Sequence, residues 1–240
     1  SSDPNPDGPG IVELNADEYF KPIKLPSRHQ SIKPGSYGET AKPLAVTVTN
    51  SMKLSVSVFS SLLSAHLQTI VSWGPLRITL DGKGYVSLYF AHVRIITSKE
   101  PIIPAQWYTI NIEIWKGQKT VISTRNQMTG VEGQTYTKNS KRGIKLNEFE
   151  SAKIRVATDQ SKTEFFNGKI EAPEIKVDGK TILKYDFSQQ IPLFEVPAEI
   201  GPPLMLYNSP TRAVKGMNWD ASEFCWRHKP EHYAAIHFHE

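Results

Sequence analysis

A chain of 240 residues, 39% hydrophobic and 22% charged, can bury a sizeable core as one large domain, or as a domain of about 150 residues with appendages. The 28 basic and 24 acidic residues are spread along the chain and leave a net charge of only +4, too weak a field to argue for a nucleic-acid partner. No apolar run approaches the ~20 residues of a membrane-spanning helix, and the single cysteine, Cys225, excludes an intrachain disulfide, in keeping with a cytoplasmic location.

The opening Ser1-Ser2-Asp3-Pro4-Asn5-Pro6-Asp7-Gly8-Pro9-Gly10 has no apolar stretch of the signal-peptide kind. Residues 1–34 are rich in proline and show little periodicity beyond Ile11-Val12-Glu13-Leu14, so they read as a flexible or wrapping arm. From Leu44 to Phe187 the period becomes two. Leu44-Val46-Val48 and Leu54-Val56-Val58 alternate with small polar residues, as half-buried strands do. Further strands are predicted over 68–73, 76–80, 85–90, 107–115, 153–157, 165–177 and 181–187. In the 107–115 run, Tyr108, Ile110, Ile112 and Ile114 form one face, and Trp107, Thr109, Asn111, Glu113 and Trp115 form the other.

The joints carry residues that tolerate positive φ: Asp81-Gly82-Lys83-Gly84, Lys116-Gly117, Asn167-Gly168 and Asp178-Gly179-Lys180. Helical spacing of apolar residues is absent, and Thr, Val and Ile dominate where helices favour Ala, Leu and Glu. About a dozen antiparallel strands of ordinary length curl into two packed sheets, so a sandwich is preferred to a barrel. The basic stretch holding Lys138, Lys141, Arg142 and Lys145 reads as a solvated loop tip, with only Tyr136 nearby for base stacking. Pro192, Pro197, Pro202, Pro203 and Pro210 make 188–210 an extended linker.

The final segment, Ser209 to Glu240, differs from everything before it. Four of the seven histidines, His228, His232, His237 and His239, crowd there. The chain ends within an apparent strand, Ala235 to His239, and a continuation in a parent protein is expected.

Several motifs occur in one order: Gly35-Ser36-Tyr37, the 54–59 strand, Gln68 to Gly74 with its Ser72-Trp73-Gly74, Leu76 to Gly84, Gln106-Trp107-Tyr108 with Trp115-Lys116-Gly117, and Phe166-Asn167-Gly168-Lys169-Ile170-Glu171. Together, over about residues 35–190, they resemble a laminin-G-like, concanavalin-like jelly roll. The closing Pro210-Thr211-Arg212-Ala213-Val214-Lys215-Gly216-Met217-Asn218-Trp219-Asp220, followed by Trp226 to Glu240, resembles the stretch that joins such a domain to the catalytic region in the N,N-dimethylformamidase large (beta) subunit family. The resemblance implies a hydrolase of small amides, a small helical partner subunit, and a mononuclear iron held by two tyrosines and a glutamate beyond the point matching Glu240. No residue here receives a catalytic role or a cofactor by carry-over. The resulting organisation is an arm (1–34), a sandwich (35–190), and a linker with a His-rich segment (191–240) leading into a catalytic region that the chain does not include. The chain alone is expected to be inactive, with roles in subunit assembly and active-site access. An independent carbohydrate- or protein-binding module is the alternative.

Candidate sites are few. On a strand, His237 and His239 share a face about 6.5–7 Å apart and with Glu240 or His228 would clamp a divalent metal. Pro230 spoils a helical His228/His232 pair, which favours plain hydrogen-bonding imidazoles at an interface. Arg212, Asn218 and Trp219 are residue types that anchor interfaces, and they equally suit bracing of the linker. Cys225 lacks a recognisable orienting group and oxyanion site for nucleophilic work, so a buried thiol is expected. Among Trp73, Tyr85, Tyr89, Trp107 and Trp115, most are core; Trp107 and Trp115, opposite the Ile face, are the candidates for stacking a glycan. Calcium has no assignable ligands.

Overall fold

The computed structural model describes residues 35–138, 144, 149, 151–216, 218–220, 223–227 and 233–240. The N-terminal arm, Ile11 to Leu14 included, most of the basic stretch (Lys141, Arg142, Lys145), and His228 and His232 lie outside the described residues. The described residues form strands and no helix, so none is long and apolar enough to cross a membrane as a helix.

The strands begin with β1 (Tyr37–Thr40) and β2 (Ser51–Ser60), followed by β3 (Gln68–Trp73), β4 (Leu76–Leu80), β5 (Val86–Phe90) and β6 (Val93–Thr97). A meander of β7 (Trp107–Trp115), β8 (Lys119–Asn126) and β9 (Glu132–Lys138) comes next, then β10 (Ile154–Val156), β11 (Gly168–Val177) and β12 (Lys180–Tyr185). The final part holds β13 (Glu195–Val196), β14 (Ala198–Ile200), β15 (Leu204–Tyr207), β16 (Thr211–Val214), β17 (Asn218–Asp220), β18 (Cys225–Arg227) and β19 (Tyr233–Phe238). One antiparallel sheet runs β13-β15-β1-β10-β3-β4-β5-β6. The other runs β14-β12-β11-β2-β7-β8-β9, with β19 also on β11 and β16 on β19. This is the expected two-sheet sandwich.

Period-two patterning sets its core. On β2, Met52, Leu54, Val56 and Val58 are buried and the residues between them are half-buried. Tyr108, Ile110, Ile112 and Ile114 of β7 face the same interior, and full burial of each such side chain contributes about 1.5–3 kcal/mol. Hairpin chemistry held at three joints. Asp178 and Gly179 both take positive φ, 50° and 81°, in the two-residue β11–β12 turn, the geometry whose twist matches flanking strands. Gly117 (φ 66°) serves β7–β8 and Gly84 (φ 94°) the β4–β5 loop.

Several expectations need correction. Asn167-Gly168 is no hairpin turn: Gly168 opens β11, and an added Cβ would sit 2.2 Å from the Phe59 carbonyl oxygen, so close backbone approach requires the glycine. The 165–177 run therefore becomes a strand only from Gly168. Leu44 to Val48 alternates in burial without lying in a strand, because no neighbouring strand pairs with it. The strands β1, β6, β8 and β9 were not anticipated; β8 carries Thr120, Thr124 and Asn126 inward, which breaks an apolar alternation.

The largest revision concerns 191–240, expected as a linker followed by a His-rich segment that ends in a strand over Ala235 to His239. β15 pairs with β1 along Tyr37–Thr40, and β19 pairs with β11 at Gly168, Lys169 and Ile170. Pro197 lies between β13 and β14, edge strands of opposite sheets, where a residue without an N–H donor is tolerated. Ile236 and Phe238 enter the common core.

Candidate functional site

Alternation on β2, β7, β11 and β19 sends Phe59, Trp107, Lys169 and His237 to the side of the nine-stranded sheet opposite the core. Register brings them side by side, Phe59 opposite Trp107 and Lys169, and Lys169 opposite His237. Over them runs the chain that leaves β16. The Trp107 Nε1–H donates to the Lys215 carbonyl at 2.9 Å, and Lys169 Nζ donates to the carbonyls of Val214 (3.1 Å) and Lys215 (3.4 Å). In the other direction Lys215 Nζ reaches Glu171 Oε1 at 3.4 Å and lies 5.2 Å over the Trp107 ring. Lys169 Nζ lies 5.1 Å over Phe59. Gly216, at φ 75°, turns the chain away at a point where a Cβ would meet Lys169 Nζ at 3.1 Å. These contacts form a latch that fastens the exit of β16 to the sheet.

Burial lowers the pKa of Lys169. Burial also lowers that of His237, reinforced by the charges of Lys169 and His239. A dication is poorly served by an imidazole with an ammonium as its cross-strand neighbour. His237 Nε2 instead lies 3.5 Å from Ser61 Oγ. His239 is bound to Ser36: its backbone N–H donates to Ser36 Oγ (2.8 Å), its carbonyl accepts from Ser36 N–H (2.7 Å), and its Nδ1 lies 3.3 Å from the hydroxyl. The backbone N–H of Glu240 donates to Asn167 Oδ1. Among the described residues no group of three or more His, Cys, Asp or Glu is arranged to hold a metal. The pair His237 and His239 thus joins β19 to the sheet and to the first described residues.

The other candidates separate in the same way. Trp107 does face away from the core, yet it is 0% exposed because Lys215 and Phe59 cover it, so it is sealed against a glycan. Trp115, at the far end of β7, is 37% exposed beside the Lys53–Glu113 ion pair. Arg212 braces its own segment: Nη2 donates to the Ser188 carbonyl at 3.0 Å, and the guanidinium lies 5.1 Å over the Tyr233 ring. Asn218 and Trp219 stand in the β17–β18 hairpin, opposite Arg227 and Trp226. Cys225 lies opposite Asp220 in that hairpin and is half-exposed, where a buried thiol was expected.

Sequence reading missed Lys169, Glu171 and Lys215. The signal was present in Lys169-x-Glu171, two opposite charges on one face of a strand whose other face is apolar, but only the fold shows that Lys215 comes to meet them.

No family model matches the chain. It is 24% identical to the N,N-dimethylformamidase beta subunit of Alcaligenes sp over 99% of its own length, and it spans 38% of the length of that relative. In fold it is similar to the LG1-3 region of the laminin alpha2 chain, with a TM-score of 0.47 at 18% identity, covering 61% of this chain and 31% of that one. It is also similar to the native heptameric SAP-like pentraxin of Limulus polyphemus, with a TM-score of 0.45 at 11% identity, covering 61% of this chain and 71% of that one. The chain is an all-β, antiparallel two-sheet sandwich, similar in sequence along 99% of its length to the N,N-dimethylformamidase beta subunit.

Proposed function

We propose that this chain is the noncatalytic β-sandwich portion of a formamidase-like amide hydrolase large subunit, supporting subunit assembly and access to an active site carried by a further region. The observation that supports this reading is the unequal coverage of the curated relative: 99% of this chain aligns with it, over 38% of its length. In this role the sandwich is a rigid support, and the latch of Trp107, Lys169, Glu171 and Lys215 fixes the direction in which the β17–β18 hairpin leaves the sheet. The reaction of the whole subunit is hydrolysis of a small amide such as N,N-dimethylformamide, water cleaving the C–N bond to give dimethylamine and formate. Its iron and its tyrosine and glutamate ligands belong to the further region, its partner is a small helical subunit, and its place is the cytoplasm.

The test is formate release from N,N-dimethylformamide by this chain alone and by the longer subunit that contains it, each with and without the small subunit and iron. Activity is expected only with the longer subunit. Turnover by the isolated chain overturns the noncatalytic assignment, and an inactive but folded longer subunit overturns the amidase assignment.

A further inference from the structure

We infer that a polar cleft at one end of the eight-stranded sheet is a binding site for a single sugar ring that presents vicinal hydroxyls. The cleft is formed where the β3–β4 turn (Gly74, Pro75) and the β5–β6 turn (Ala91, His92) meet the loop before β11 (Asp159 to Glu164). Its volume of about 240 Å³ is below the roughly 300–1,000 Å³ of sites for drug-sized ligands, which limits the occupant to about one ring.

The polar groups are held in place before any ligand arrives. The Arg77 guanidinium stacks 4.3 Å over the Tyr89 ring, its Nε–H donates to Glu164 Oε1 at 2.9 Å, and Nη1 donates to the Ala91 carbonyl at 3.1 Å. The Thr69 hydroxyl donates to the same Glu164 oxygen at 2.7 Å. Asp159 fixes the loop by accepting from the backbone N–H groups of Thr163 (2.8 Å) and Glu164 (2.9 Å) and from the Thr163 hydroxyl (3.0 Å). Gln160 Nε2 donates to Ser72 Oγ at 3.0 Å. After these bonds Arg77 Nη2, Glu164 Oε2, Gln160 Oε1 and the Ser161 hydroxyl have no partner among the described residues.

Charge and chemistry select the ligand class. One guanidinium stands against two carboxylates, so the lining is formally negative and repels an inorganic anion. A metal cation is equally disfavoured, because both Asp159 oxygens already receive hydrogen-bond donors and the guanidinium lies against Glu164. What remains is a neutral ligand that offers acceptors and donors on adjacent atoms. A vicinal diol does this: its oxygens accept from the guanidinium while its hydroxyls donate to the carboxylate and carboxamide oxygens.

The experiment is an NMR titration of the ¹⁵N-labelled chain with methyl α-D-glucopyranoside, methyl α-D-galactopyranoside, methyl α-D-mannopyranoside and, separately, inorganic phosphate. At least one glycoside is expected to shift the amides of Gly74, His92 and Ser161 together in a saturable manner, while phosphate leaves them unmoved. Two variants follow that response. Glu164→Gln removes a charged acceptor and weakens binding about tenfold or more, and Ser161→Trp fills the cleft from an exposed position outside the hydrogen-bonded network. The assignment is overturned if no glycoside shifts these amides, if phosphate shifts them, or if Ser161→Trp leaves the glycoside response intact in a folded protein.

Discussion

Replacing Trp107 by alanine separates a structural latch from an open stacking platform. The side chain is 0% exposed, donates its indole N–H to the Lys215 carbonyl at 2.9 Å, and lies beneath Lys215 Nζ. Truncating a wholly buried tryptophan costs about 3–5 kcal/mol through lost transfer energy and the cavity left behind. Trp107→Phe retains most of the ring but leaves the carbonyl, among the described residues, the longer 3.4 Å bond from Lys169, for a hydrogen-bond loss of about 1 kcal/mol. Trp115→Ala, at a 37% exposed position on the same face of the same strand, is the control and should cost under about 1 kcal/mol. Equilibrium urea unfolding followed by circular dichroism measures all three. At an m-value of about 2–3 kcal/mol/M, the Trp107→Ala midpoint falls by about 1–2.5 M with unchanged slope. A Trp107→Ala midpoint no lower than that of Trp115→Ala refutes the sealed latch.

Three further variants test other parts of the fold. Gly168→Ala combines a φ of +155° with a Cβ 2.2 Å from the Phe59 carbonyl oxygen; strain of about 1–3 kcal/mol plus that overlap should lower the urea midpoint well beyond Gly130→Ala, whose Cβ meets open space, and equal losses would exclude the close approach. His237 is held below its ordinary 6.5 by burial, Lys169 and His239, so the unfolded chain binds the proton first and folding stability falls as pH drops through 6.5 toward the folded value. Wild type should accordingly lose midpoint relative to His237→Gln over that window, and a wild-type midpoint that rises relative to the variant on acidification contradicts the sign. The Asp178 carboxylate is held far below its ordinary 3.8 by the backbone N–H of Ser51, the Thr49 hydroxyl and the backbone N–H groups of Asn50 and Thr49. That stabilisation is present above 3.8 and is lost as pH falls through the folded value; Asp178→Ala should lower the midpoint at neutral pH by an amount that narrows in acid, and a gap that stays constant with pH shows that the carboxylate charge contributes nothing.

Much of the sandwich was legible because burial on a pleated strand repeats every two residues. β2 and β7 announce themselves by strict alternation, and Asp178-Gly179 and Lys116-Gly117 announce their hairpins by tolerance of positive φ. Where alternation carried threonine or asparagine inward, as on β8, the pattern was lost, since a hydroxyl or carboxamide bonded within the sheet reads as a surface residue. Prolines misled in 191–210. Proline removes a donor, and edge strands such as β13 and β14 do not need every donor paired, so the segment joins both sheets despite its composition.

The site divides along the same line. Sequence alone determined that Trp107 faces away from the isoleucine side of β7 and that His237 and Phe238 point in opposite directions, because the side-chain period of a strand is a local property of the backbone. It also carried the resemblance to the formamidase large subunit, which the comparison with the Alcaligenes protein bears out. Only the tertiary structure decided that Trp107 is sealed, that Lys169 stands beside His237, and that Arg77 meets Glu164 across 87 positions of sequence. Those facts depend on which distant strands share a register and which segment crosses over them, and pairing between remote strands is fixed by the packing of the whole core.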